Sequence, residues 1–226
     1  MSKSPKFETK AYTVIVEGNI GSGKTTFLDY FRKYQNVFVM PEPIDMWCNC
    51  GGHNLLELMY KDTKRWGFTF QSYVQLTMLK QHTFKTQCPI KLMERSIYST
   101  RYCFVEKMYR DGLLPAPSAS VINEWFKWST SNINTEVDLI IYLRTSPIVV
   151  YERMQARNRK EERTVSFNYI KEMHDMHENW LYHKTSFSCP APVLILNADL
   201  DKSVIVEEYE RVEPHIFSEN QSILAA

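Results

Sequence analysis

Gly18-Asn19-Ile20-Gly21-Ser22-Gly23-Lys24-Thr25 decides the fold. The run satisfies G-x-x-x-x-G-K-[ST], a loop whose glycines let successive backbone N–H groups turn onto phosphate oxygens. Before it, Tyr12-Thr13-Val14-Ile15-Val16 reads as a short buried strand; after it, Thr26 to Lys33 reads as the start of a helix. Strand, glycine loop and helix are the context the motif requires, and the helix N-terminus adds positive potential. Lys24 is expected at the β- and γ-phosphates of a nucleoside triphosphate, with Thr26 beside it. The Thr25 hydroxyl is expected on Mg²⁺.

Working outward, strand-like and helix-like stretches alternate. Val37–Met40, Ile90–Met93, Asp138–Leu143 and Val193–Leu196 are further strand candidates. Helical patterns run over Leu55–Tyr60, Thr69–Thr83, Ile97–Tyr109, Ala119–Ser129, Ile148–Arg157 (opened by Pro147) and Phe167–Tyr182. Residues 48–54, 114–118 and 158–166 read as loops. Five short strands separated by helices predict an α/β fold of the P-loop NTPase type. In it a parallel five-stranded sheet has helices on both faces, and ligands sit at the carboxyl ends of the strands. The 226 residues fit one domain, with weakly ordered tails expected at 1–10 and about 214–226.

The composition narrows the function. A net charge of +1 gives no large nucleic-acid footprint. No apolar run approaches the ~18 residues that span a bilayer. The start, Met1-Ser2-Lys3-Ser4-Pro5-Lys6, lacks a secretory apolar stretch; it is basic and holds serines, but it is short and has no arginine, which favours a cytoplasmic reading over a mitochondrial or nuclear one. Five scattered cysteines suit free thiols. Cys48-Asn49-Cys50 with His53 falls one ligand short of a closed zinc site. His174 and His177, beside Asp175 and Glu178, read as a solvated helix face.

Three charged clusters fall where a catalytic centre should be, the first two just past strand ends. Glu42 lies in Pro41-Glu42-Pro43, where two prolines stiffen the backbone. Glu94-Arg95-Ser96 places an acid and a base side by side. Arg153, Arg157, Arg159 and Lys160, followed by Glu161 and Glu162, form a basic segment suited to closing over phosphates, since phosphoryl transfer depends on positioning and charge neutralisation. A fourth cluster is aromatic and apolar: Trp47, Met59, Tyr60, Phe70, Gln71, Val74, Met78 and Phe104. Aromatic faces with one amide describe a pocket for a flat base whose edge offers paired hydrogen bonds.

At these residues the chain resembles the deoxyribonucleoside kinase family, on the side of its insect multisubstrate and mitochondrial thymidine enzymes. The resemblance rests on Glu17 to Thr26, Asn54-Leu55-Leu56-Glu57-Leu58-Met59-Tyr60-Lys61-Asp62, Phe70-Gln71-Ser72-Tyr73, Glu94-Arg95-Ser96-Ile97-Tyr98-Ser99, Arg101 to Glu106 and Leu139 to Pro147. It implies transfer of the ATP γ-phosphoryl group to a deoxynucleoside 5′-hydroxyl, in nucleotide salvage. By resemblance Glu42 is the general base and Arg95 its partner. Glu94 holds Mg²⁺ with Thr25; which of the two acids takes the proton stays open. Tyr60 and Glu162 grip the sugar 3′-hydroxyl, Gln71 reads the base, and Trp47, Phe70 and Phe104 wall the pocket. Arg153, Arg157 and Arg159 form the lid, and Asn197, Ala198 and Asp199 flank the donor adenine. A homodimer and feedback inhibition by dTTP are implied as well.

Val74 and Met78 resemble the thymidine-accepting branch. Thr100 departs from the pattern, standing where close relatives carry alanine and the purine-handling branch aspartate. Its added bulk and hydroxyl predict a preference for pyrimidines over purines. The nearest rival is a nucleoside monophosphate kinase of the thymidylate type. Against it, a carboxylate at the acceptor oxygen repels a phosphomonoester that is already anionic. A non-catalytic nucleotide-binding module is the other rival. It leaves the aromatic and amide pocket without a use, and a guanine-binding switch would need Asn-Lys-x-Asp, which the chain lacks.

Overall fold

The computed structural model describes residues 10–201 and 203–217. Five strands form one parallel sheet in the order β2-β3-β1-β4-β5: β1 (Tyr12–Glu17), β2 (Val37–Met40), β3 (Ile90–Glu94), β4 (Leu139–Arg144) and β5 (Val193–Asn197). The central strand, β1, sets Val16 opposite Glu94 of β3 and Glu17 opposite Tyr142 of β4. Covered on both faces, it reads as an unbroken apolar run, with Val14, Ile15 and Val16 all inaccessible to solvent. The chain leaves β1 for β2 and β3 on one side and for β4 and β5 on the other. The crevice at the carboxyl end of β1 is therefore the switch point where α/β sheets bind ligands.

Among the described residues ten α-helices surround the sheet: α1 (Lys24–Phe31), α2 (Ile44–Cys48), α3 (Leu55–Lys61), α4 (Thr63–Thr83), α5 (Ile97–Ser99), α6 (Glu106–Arg110), α7 (Ala116–Asn132), α8 (Pro147–Arg157), α9 (Phe167–His177) and α10 (Ile205–Phe217). A π-helical stretch, Thr100–Val105, joins α5 to α6, and a second, Glu178–Tyr182, extends α9. Alternate residues of β1 point to opposite faces. Val14 and Val16 pack with Phe27, Phe31, Tyr209 and Val212 of α1 and α10, whereas Ile15 packs with Met173, Trp180 and Leu181. A third apolar cluster joins Trp47, Met59, Phe70, Val74, Ile122 and Phe126 from the helices between β2 and β4.

The five expected strands are present to within a residue at either end. Several helices differ from expectation. α2 arises where only a loop entry was read. α4 starts at Thr63, six residues early, because the Asp62 side chain caps it by accepting from the Arg65 N–H (3.2 Å). The loop expected at 158–166 contains a 3₁₀ turn, Lys160–Glu162. The tail expected from about 214 is helical as far as Phe217. Pro214 removes one N–H, yet Val212 and Ile216 are fully buried and anchor the turn around it. The expected tails at 1–9 and 218–226 lie outside the described residues. His177 does not belong to a solvated face: it is wholly buried, stacked on Tyr142 at 6.2 Å. Cys50 and His53 pair as an isolated backbone bridge, and all five cysteines are free thiols. Among the described residues no helix is long and apolar enough to cross a membrane.

Candidate active site

The glycine loop opens directly off β1. A Cβ at Gly18 would lie 2.7 Å from Ser22 Oγ and 2.8 Å from the Leu143 carbonyl, so the turn admits no side chain. Gly23, at φ 94°, faces open space with no atom within 4 Å of such a Cβ. Asn19 pins the loop to α9: its Nδ2 donates to the Ile170 carbonyl (2.8 Å), and its Oδ1 accepts from the Ile20 N–H (2.8 Å). Lys24 is buried, and its Nζ donates to the carbonyls of Asn19 (2.7 Å) and Gly18 (3.2 Å). Burial, with the Arg95 charge adding to it, lowers the Lys24 ammonium to about 7. A triphosphate would restore the counter-charge this lysine lacks.

Thr25 Oγ1 lies 3.3 Å from both Glu94 oxygens. A hydroxyl and a carboxylate at the loop's mouth are the hard oxygen ligands that Mg²⁺ takes from a protein while keeping water and phosphate oxygens. The donor set therefore fits that ion.

Glu42 follows β2, and its Oε1 stands 3.1 Å from Arg95 Nε. Burial raises the Glu42 carboxyl above its ordinary range; Arg95 opposes that shift and Glu94 adds to it. Arg95 is itself buried, with its guanidinium 4.7 Å over the Phe104 ring. Its φ of 63° is left-handed, and its N–H donates to the Val16 carbonyl (3.0 Å), extending the β1–β3 ladder by one residue.

These groups close one end of a cavity of about 210 Å³. Its walls include Trp47, Met59, Tyr60, Phe70, Gln71, Val74, Thr100, Phe104 and Glu162, together with Ile20, Gly21, Lys24, Thr25, Glu42, Glu94, Arg95, Arg157 and Arg159. Trp47 is fixed by its indole N–H on Thr77 Oγ1 (2.9 Å) and stands edge-on to Phe70. Gln71 is buried with Oε1 unpartnered, and its Nε2 has only the Met108 sulfur at 3.7 Å. An amide with such idle capacity is available to a ligand. Burial raises the Tyr60 hydroxyl well above its ordinary value.

A second cavity, about 560 Å³, adjoins the first at the loop. Gly21 to Thr26, Glu94, Arg153, Arg157, Arg159, Ala198, Leu200, Ile205 and Tyr209 line it. Gly21, Lys24, Thr25, Glu94, Arg157 and Arg159 belong to both cavities, so the two meet at the glycine loop.

Some expected residues stand elsewhere. Met78 lines neither cavity; it is packed inside the helical cluster one turn beyond Val74. Arg153 donates to the carbonyls of Ala198 (2.7 Å) and Leu200 (2.9 Å), bracing the segment after β5 while it borders the second cavity. Arg157 and Arg159 both hold Glu162, at 2.6 and 2.9 Å. Asp199 accepts from the Ser146 N–H (2.7 Å), at the start of α8. The Thr100 hydroxyl donates to the Ser96 carbonyl (3.0 Å) and is spent on the backbone. Sequence reasoning missed five wall residues, Pro41, Ile44, Leu56, Met108 and Tyr169. It also missed Glu17, whose signal was present: an acid ending an apolar strand directly before the glycine loop.

A sequence profile of the family described as deoxynucleoside kinase matches residues 14–222. The chain is 45% identical to mitochondrial thymidine kinase 2 of Homo sapiens over 209 residues, covering 92% of this chain and 79% of that one. It is 32% identical to deoxycytidine kinase 2 of Gallus gallus, covering 90% and 89%, and 32% identical to deoxycytidine kinase of Mus musculus, covering 86% and 85%. With its parallel sheet, its glycine loop and the paired cavities that adjoin there, the chain belongs to the deoxynucleoside kinase family.

Proposed function

We propose that the chain phosphorylates the 5′-hydroxyl of deoxyribonucleosides for nucleotide salvage, preferring thymidine and deoxycytidine to purines. The observation that carries this reading is the 210 Å³ cavity, closed at one end by Glu42 and Arg95 and walled elsewhere by Trp47, Phe70, Phe104 and the idle Gln71 amide. ATP supplies the γ-phosphoryl group, and Mg²⁺ would be held by Thr25 and Glu94. Glu42, raised by burial and aimed by Arg95, accepts the 5′-hydroxyl proton. Gln71 offers one acceptor and one donor group to a base edge. Phe104 stacks on the base, and Tyr60 and Glu162 hold the sugar. Lys24, Arg157 and Arg159 neutralise charge on the transferring group, while Arg153 braces the donor side. The cavity carries the acids Glu42, Glu94 and Glu162 beside the cations Lys24, Arg95, Arg157 and Arg159, and it is the Glu42 carboxylate at the acceptor oxygen that would repel an anionic monophosphate.

Two finer proposals rest on the same geometry. Because the cavities meet at the loop, dTTP can seat its base in the acceptor cavity and its phosphates on the loop, which supports feedback inhibition. α7 exposes Val121, Trp125 and Trp128 (43, 58 and 60%) at spacings of four and three residues. That apolar stripe supports the homodimer the family resemblance implies.

The deciding experiment assays the purified chain with ATP, Mg²⁺ and each of the four deoxynucleosides, with and without dTTP, and with thymidine monophosphate as a separate acceptor. Turnover of thymidine and deoxycytidine above the purines is expected, with none of the monophosphate. Turnover of the monophosphate alone would reverse the reading.

A further inference from the structure

Glu17 ends β1 and is wholly buried. None of the roles assigned above uses it, and it lines neither cavity. Ser96 Oγ donates to its Oε1 at 2.6 Å, while Oε2 has no partner. The same Ser96 oxygen accepts from the N–H groups of Tyr98 and Ser99 (both 3.2 Å), capping α5. Between Glu94 and Ser96 stands Arg95, at φ 63°. Non-glycine residues persist in that region only where their surroundings over-determine them. Here the Val16 carbonyl holds the Arg95 N–H on one side, and the Glu17–Ser96 bond holds the turn on the other.

Charge points the same way. The Arg95 guanidinium is buried, in ion-pair contact with Glu42 through Nε, with Nη1 unpartnered. Burial raises Glu17 to about 7, and the Arg95 charge is the largest influence opposing that.

We propose that Glu17 is a positioning residue: its carboxylate ties the Arg95 turn to the strand feeding the glycine loop, through Ser96, and shares the Arg95 charge with Glu42. The role rests on the reading of Glu42 as the base. Without the Glu17 charge, Arg95 draws more heavily on Glu42, and a more tightly paired Glu42 is a weaker proton acceptor. The nucleoside walls are untouched, so the loss falls on kcat and not on KM. A burial role alone gives the opposite stability signature. Glutamine has the same shape, still accepts from Ser96 and carries no charge to desolvate.

The test is Glu17→Gln in the full chain, beside the parent, with ATP and thymidine. Expected are a Tm equal to or above the parent's, a KM for thymidine within about threefold, and a kcat about tenfold lower. Ser96→Ala removes the other half of the link, the hydrogen bond, and keeps the charge, so the double variant should be no better than the poorer single one. A parent-like kcat in Glu17→Gln, or a kcat loss that follows a lowered Tm, overturns the proposal. Should Glu17→Gln not fold, Ser96→Ala decides it: a lower kcat at unchanged KM supports the link, and an unchanged kcat overturns it. The Arg95 Nε–H resonance in ¹⁵N NMR needs no turnover. A shift of that signal in Glu17→Gln, or in Ser96→Ala, supports the link, and an unmoved signal overturns it. A parent chain that phosphorylates no deoxynucleoside would sink the function instead.

Discussion

Glu42 and Thr100 both border the acceptor cavity, and they act in different ways. Glu42 sits between a cation that lowers its proton affinity and a burial cost that raises it, and burial prevails. Glu42→Gln keeps the shape and loses the base. It should lower kcat by ~10²–10⁴ while thymidine binding, read by calorimetry, stays near the parent value. A variant that loses binding but keeps kcat would remove Glu42 from this role. Thr100 contributes volume, since its hydroxyl is already bonded to the Ser96 carbonyl. Thr100→Ala empties about two heavy atoms of space beside the base. It should raise the purine-to-pyrimidine ratio of kcat/KM by about tenfold, the usual worth of such a change in an apolar pocket. A ratio that does not move across the four deoxynucleosides would show that the cavity's breadth is set elsewhere.

Among the elements, α7 presents the most apolar exposed face. Trp125 and Trp128 stand 58 and 60% exposed on a helix whose other side, through Ile122 and Phe126, is core. Trp128→Lys puts a charge into that stripe and touches neither cavity. If the chain pairs through α7 as proposed, the parent should have the mass of a dimer by light scattering or sedimentation and the folded variant half of it; a monomeric parent would remove the dimer, and a variant that stays dimeric would move the interface off α7. Elements differ in how plainly the sequence announces them, and the reasons are physical. The strands were legible because a sheet covered on both faces demands unbroken apolar runs such as Ile140-Ile141-Tyr142-Leu143. The charged groups past their ends, Glu42 and Glu94-Arg95, were legible because the topology leaves only that edge for a ligand. α2 was not, since five residues after Pro43 carry no period to read. Neither were the π stretches: Thr100–Val105 keeps a helical pattern while its hydrogen bonding shifts, which re-aims Phe104 and Thr100 by an amount no spacing rule contains. Tyr169 and Met108 were missed because they reach the cavity by tertiary packing, from segments whose helical pattern alone names no wall residue. The tail expected from about 214 stays helical to Phe217, since Val212 and Ile216 anchor a helix that tolerates the N–H lost at Pro214.

At the scale of the whole molecule, titratable groups are buried in and around the sheet, and they do not all answer acid alike. Burial, aided by Lys91, lowers His82 to about 3, and burial, aided by Arg95, lowers His177 to about 3. Both fold as neutral rings. A group whose folded value lies below its unfolded value of 6.5 contributes stability that is complete above 6.5 and is lost as pH falls towards 3. Glu17 has the opposite sign. Raised to about 7, it binds its proton in the fold before it would in the open chain, so it favours the fold as pH falls from 7 towards 4.5. The parent's acid response is a partial cancellation and says little by itself, whereas a difference between chains isolates one term. His177 is the cleaner choice, because its Nδ1 meets the Met173 carbonyl at 2.7 Å and its buried Nε2 has no acceptor for an added proton. His177→Phe keeps a flat ring parallel to Tyr142 and forfeits the Met173 bond. At pH 7.5 the variant should be no more stable than the parent. By pH 5 the parent should have lost about 2 kcal/mol that the variant does not lose, at about 1.4 kcal/mol per pH unit below 6.5. Urea midpoints taken across that range should therefore converge or cross. If they run parallel from pH 7.5 to 5, His177 titrates in the fold as it does in the open chain, and the sheet's buried layer is wetter than its packing implies.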